Sequence, residues 1–362
     1  MRTPWTGVVL ALGMAYPTAA QIAPVSLAPV IEIGCLDCAG PEAFGSIMAL
    51  SVGRGRLAVA DRDEPHLRIF RLDGHAVTVL GPEGDGPGEL RAPLEISIAG
   101  DGTAVLDLRR LRLAVFADDG EVSEGVRLDG FPVAAAFGPG SSRIYAVLTE
   151  YGAATARVLE WAPGERARVV VDRIPGIALG LGPPPVLSMA HAPDGGFVIG
   201  EGRERYRLLF FGADGRLRRE VERNVARTPK SEDEIEEERA ARQGTPGGRR
   251  SAPPENEQQA MPRAGVEIDP FRVHFRGWAL RFDENGLLWV RTERGSGSTV
   301  FDIFDPVGDY LGELTLPGRI DAFALGDGHL AAEVLKDLDV PSVQLWRVTS
   351  RDATLHGWAR SR

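Results

Sequence analysis

Four carboxylates stand at the ends of short apolar runs. Asp61 follows Leu57-Ala58-Val59-Ala60, Asp107 follows Ala104-Val105-Leu106, and Glu201 and Glu333 sit at matching places further along the chain. Gathered at one end of a ring, such groups would form a cation site. The plainer role for an Asp at a strand end is to accept hydrogen bonds from the adjoining turn, and the residue pattern favours it. Asp63 and Glu64 add acidity beside Asp61, while Arg62 and Arg68 offset it. A second acidic group lies in Gly81-Pro82-Glu83-Gly84-Asp85-Gly86-Pro87-Gly88-Glu89-Leu90, where Glu83, Asp85 and Glu89 offer hard oxygens. Calcium takes about six to eight such ligands. The loop lacks the Asp-x-Asp-x-Asp spacing of a dedicated calcium loop, so no metal or cofactor is assigned to it, and Ca²⁺ is the ion it would suit.

Other chemistries find less support. The six histidines, His66, His75, His191, His274, His329 and His356, form no HxH or HxxxH pair and read as surface or turn residues. No GxSxG elbow, phosphate-cradling loop or dinucleotide-binding glycine pattern is present. Cys35 and Cys38 are the only cysteines. Two nearby thiols in an oxidising compartment most simply form a disulfide. Redox exchange would call for a helix amino terminus in a βαβ setting, and Ala39 stands where covalent haem attachment needs His.

These groups are carried by a repeating unit: an apolar run, an acidic or polar residue, a second apolar run ending in an aromatic, then a turn. Leu67-Arg68-Ile69-Phe70 leads to Asp73-Gly74, Leu113-Ala114-Val115-Phe116 to Asp119-Gly120, and Leu208-Leu209-Phe210-Phe211 to Asp214-Gly215. Asp61 and Asp107 are 46 residues apart, and Asp119 and Asp214 are 95 apart, about two units. A β-unit of this period predicts a propeller. The expected fold is all-β, with six blades of four strands, seven being the alternative count. Only three strands fall in the last blade. The segment Val30-Ile31-Glu32-Ile33-Gly34 is expected to add the fourth and close the ring.

Residues 1–20 read as a secretory signal: Arg2, an apolar centre from Val8 to Ala15, and the small residues Thr18-Ala19-Ala20 before Gln21. The expected domains are therefore the signal at 1–20, the propeller at 21–350 and a tail at 351–362. The mature chain is expected to be periplasmic or secreted, with no integral membrane segment after signal removal. A formal charge of −10 argues against nucleic acid as a partner. Arg109-Arg110-Leu111-Arg112 and the arginines of 216–219 read as solubilising residues. Between blades four and five, about 225–266, the strand signal stops. Ser231-Glu232-Asp233-Glu234 predicts a capped helix, and Gly244 its end. The stretch is an insertion on one face, and it precedes Trp278.

The Gly81–Leu90 stretch resembles one found between blades of bacterial six-bladed β-propeller proteins related to NHL-repeat proteins, GxxGxGPGEF, with Leu90 where Phe is usual. The resemblance extends through the strand–Asp–strand–Asp-Gly pattern over roughly 30–350. It implies a fold and no particular reaction. Two functions suit it. One is a binding module for a protein, peptide or glycan. The alternative is a metal-dependent hydrolase or lyase of the lactonase-like propeller type, with its site in the central channel. Asp61, Glu83, Asp85, Glu89 and Trp278 are the candidate contact residues, and no catalytic residue is singled out.

Overall fold

A computed structural model describes residues 25–100, 102–128, 130–138, 140–149, 156–177, 186–243, 268–335 and 339–350. The expected signal at 1–20, the tail at 351–362 and residues 244–266 of the insertion, with the expected helix end at Gly244, lie outside these residues.

The chain opens with β1 (Val25–Ile33) and then lays down blades in order. Blade I holds β2 (Ile47–Gly53), β3 (Arg56–Asp61), β4 (Leu67–Arg71) and β5 (Ala76–Leu80). Blade II holds β6 (Pro93–Ala99), β7 (Gly102–Asp107), β8 (Arg112–Phe116) and β9 (Val122–Arg127). Blade III holds β10 (Pro132–Phe137), β11 (Ile144–Thr149), β12 (Ala156–Trp161) and β13 (Arg168–Val171). Blade IV holds β14 (Leu187–His191), β15 (Phe197–Glu201), β16 (Tyr206–Phe211) and β17 (Leu217–Arg223). The helix α1 (Glu232–Gln243) precedes blade V, which holds β18 (Leu280–Phe282), β19 (Leu288–Thr292), β20 (Ser298–Phe304) and β21 (Tyr310–Pro317). Blade VI holds β22 (Phe323–Gly326), β23 (His329–Leu335) and β24 (Pro341–Ser350). All six sheets are four-stranded and antiparallel, and β1 is the outermost strand of the sixth.

Strand alternation explains why the second strands read as unbroken apolar runs. Successive side chains leave a strand on opposite faces, and each blade is covered on both. Leu57 and Val59 enter the core between blades VI and I, whereas Ala58 and Ala60 enter the core between blades I and II. Six such cores, one per interface, run round the ring. Ile33, Val343 and Leu345 lie in the VI–I core, so closure by β1 joins the two ends of the fold through apolar packing. The closing strand runs from Val25, well ahead of the Val30 expected from sequence.

The turns between third and fourth strands repeat one design. Asp73, Asp119 and Asp214 each accept the N–H two residues on, and the next residue, as at Gly74 (φ 90°) and Gly215 (φ 71°), is left-handed. These turns share one end of the ring with the hairpins joining first to second strands. The loops between blades and those between second and third strands form the other end, the upper face.

The disulfide joins Cys35 and Cys38 in the connection from β1 to blade I. A loop this short restricts the unfolded chain little. Reduction is expected to cost no more than about 2 kcal/mol, read as a small fall in the urea midpoint at unchanged slope.

Candidate functional site on the upper face

Asp61 is fully enclosed, and its carboxylate is surrounded by donors. It accepts the N–H of Gly45 (2.8 Å), Ser46 (3.1 Å) and Asp63 (2.9 Å), and the guanidinium of Arg68 at 3.0 Å. Arg68 is equally buried, and its second nitrogen reaches the exposed Glu64. Asp107 repeats the arrangement one blade on, accepting the N–H of Arg91, Ala92 and Arg110. The acid at the end of a second strand therefore holds the loop that leads into the innermost strand of its own blade.

The acidic loop is organised by two arginines. Arg91 pairs with Glu83 at 3.0 Å and with both oxygens of Asp85, and it holds the Asp85 carboxyl below its ordinary range. Arg110 donates to the carbonyls of Asp85, Gly86 and Glu89. Glu89 turns inward to accept the N–H of Gly86 at 2.6 Å. Glu83 and Asp85 remain exposed at the surface, and Glu89 braces the turn from within. The prolines and glycines set a tight course, and Arg110 locks it.

The axis carries a contact that sequence reasoning missed. Glu95, on the innermost strand of blade II, accepts a hydrogen bond from Arg281, on the innermost strand of blade V, at 3.0 Å. Blades II and V face each other across the ring, so this ion pair spans the central channel. Burial pushes the Glu95 carboxyl upward, against the pull of Arg281. The guanidinium also lies 5.7 Å from the Phe323 ring of blade VI. Among the described residues, no group of three or more His, Cys, Asp or Glu is placed to hold a metal. The local signal was a charged residue inside an innermost strand, in Leu94-Glu95-Ile96 and Leu280-Arg281-Phe282.

Glu333 does not match Asp61, contrary to expectation. In blade I the register pairs Ile47 with Asp61, and in blade VI it pairs Phe323 with Ala332. The N–H of Glu333 donates to Ala322, as that of Arg62 does to Ser46 and that of Arg291 to Ala279. Glu333 is thus one residue out of phase, and alternation turns it to the other face of its strand. There it is 7% exposed. Burial and the charges of Asp321 and Asp61 push its carboxyl up to about 7, against Arg291 and Arg62. Glu201 does hold the matching position, opposite Leu187, and pairs with Arg205 and Arg207.

The insertion starts as predicted. Ser231 Oγ accepts the N–H of Glu234 at 3.2 Å, and Glu234 accepts the N–H of Ser231 at 2.8 Å. Arg272 grips Glu234 through two nitrogens, and Lys230 pairs with Glu238, so charge rather than apolar burial seats α1. Trp278 lies where this arm rejoins blade V, across the ring from the acidic loop between blades I and II. Its backbone is left-handed at φ 58°, and its indole N–H is buried with no acceptor among the described residues. Backbone strain of this kind costs roughly 1–3 kcal/mol and concentrates at functional positions. Among the described residues the histidines join no metal-holding group: His191 closes β14 at the lower end against Tyr145, and His274 packs by Tyr206.

No family model matches the chain, and no curated protein matches it. Solved structures do. A duf4221-family protein from Bacteroides vulgatus aligns over 91% of this chain and 99% of its own, at 11% identity and a TM-score of 0.54. A protein from Bacteroides fragilis, named as exported, aligns over 92% and 98%, at 12% identity and a TM-score of 0.53. A gluconolactonase from Xanthomonas campestris aligns over 92% and 99%, at 13% identity and a TM-score of 0.49. At these identities the likeness concerns the fold alone. No helix among the described residues is long and apolar enough to cross a membrane.

Proposed function

We propose that this protein is exported and works as a binding module, holding a protein, peptide or glycan on its upper face. The observation that carries this reading is the Glu95–Arg281 pair across the axis. A hydrolytic metal site needs convergent ligands and an open coordination position. Here the channel is bridged at that level by two charges that satisfy each other. What the upper face offers outside the axis is a rigid acidic loop, a strained half-buried tryptophan and a charged helical arm. Glu83, Asp85 and Trp278 are the contacts such a ligand would meet, while Asp61 and Glu89 would act by holding their loops in place. The signal-like residues 1–20 support export.

Thermal unfolding of the mature chain is expected to give the same Tm with Ca²⁺, with Zn²⁺ and with EDTA. Arrays of glycans and peptides are expected to return a ligand that still binds the Glu95→Leu/Arg281→Met double variant, since an apolar exchange of a buried ion pair is often tolerated. A metal-raised Tm, turnover of a lactone or phosphoester, blank arrays, or loss of the ligand in a folded double variant would overturn the reading.

A further inference from the structure

On the upper, outer edge of blade II, Arg109, Arg110, Arg112 and Arg127 line one cleft of about 380 Å³ together with Gly125. Elsewhere among the described residues, the arginines of 216–219 are neutralised locally. Arg216 and Arg218 reach Asp214, and Arg219 reaches Asp309. Within the cleft, Arg110 is committed to the carbonyls of the 81–90 loop. Among the described residues, no carboxylate comes within ion-pair distance of Arg109, Arg112 or Arg127. Moreover, Arg112 and Arg127 are direct cross-strand partners. Like charges placed opposite each other destabilise a sheet, so the arrangement works against folding unless something anionic lies between them.

The backbone is shaped to admit it. The register between β8 and β9 shifts between Leu113 and Val115. A side chain at position 125 would meet the Nε of Arg112 at 2.1 Å. Glycine there lets the guanidinium lie along the β9 backbone. Arg110, held by three carbonyls, ties the cleft wall to the acidic loop and keeps it rigid. Guanidinium forks suit oxygens borne two or three to a centre, and bidentate pairing adds direction to charge.

We propose that this cleft is a binding site for a tetrahedral oxyanion, carried on the ligand as a phosphate or sulfate ester. The site deepens the binding reading by naming ligand chemistry. Its test reads the anion directly, so it can fail while that reading stands.

The mature chain is titrated with inorganic phosphate, sulfate, acetate and chloride at matched ionic strength, with Tm and calorimetric heat as readouts. Phosphate or sulfate is expected to raise Tm where chloride does not. Phenyl phosphate and phenyl sulfate then distinguish the two sources. Arg112→Gln and Arg127→Gln are each expected to weaken binding about tenfold or more. In the absence of anion, each is expected to leave Tm unchanged or raised, because the like-charge pair is gone. Arg166→Gln, outside the cleft, serves as the control and is expected to bind as wild type does. Equal responses to all four anions, or a phosphate response that survives the Arg112→Gln/Arg127→Gln double variant, would overturn the proposal.

Discussion

Asp61→Ala is expected to cost about 3–5 kcal/mol of folding stability, measured from the urea midpoint and slope. The variant strands the guanidinium of Arg68, which is 1% exposed, and orphans the N–H groups of Gly45, Ser46 and Asp63. Removing one partner of a buried ion pair carries that order of penalty. Asp107→Ala removes the same kind of backbone acceptor with no buried cation behind it, and is expected to cost less, about 1–3 kcal/mol. The contrast separates a structural carboxylate from a recognition one. If Asp61→Ala folded with wild-type stability yet bound no ligand, the carboxylate would be a contact rather than a tie.

Glu333→Gln is expected to stabilise the protein at alkaline pH and to leave it unchanged in acid. Buried beside Asp321, Asp61, Arg291 and Arg62, the folded-state carboxyl titrates at about 7 against an ordinary 4.5. A folded pKa raised above the unfolded one means that the folded state binds the extra proton. The favourable contribution is therefore complete below about 4.5 and is lost as pH rises through about 7. A shift of this size corresponds to about 3 kcal/mol. The difference in Tm between variant and wild type should grow across that window and level off by pH 8. Asp283, pushed up to about 6 by burial, bends the absolute curves of both proteins, and its effect cancels in the difference. A difference independent of pH would mean that the Glu333 carboxyl titrates alike in the folded and unfolded chains.

Local signals carried most of the architecture. Apolar runs, Asp-Gly turns and a period near 46 residues are short-range features, and so is the reciprocal cap at Ser231 and Glu234. Ring closure was legible because three strands cannot finish a four-stranded blade. The site was harder, for reasons that are physical. Glu95 and Arg281 are separated by 186 positions, and no spacing rule relates residues that meet across a diameter. Glu333 looked equivalent to Asp61 because both follow apolar runs, yet one position of register turns a side chain to the other face. Arg112 and Arg127 belong to separate runs, and only strand pairing sets them opposite each other. Their cluster read as solvated charge because alternation puts such residues on outward strand faces, where arginine ordinarily meets water.

Placing β1 against β24 has a consequence for biosynthesis. The strand β1 has no partner until β24 emerges. A nascent chain that has not yet reached Pro341–Ser350 can complete five sheets, but it still presents bare apolar flanks where the sixth belongs. Those flanks invite neighbours and chaperones for the whole duration of synthesis. Loss of the final strand should therefore yield a sticky, aggregation-prone arc instead of a slightly weaker ring.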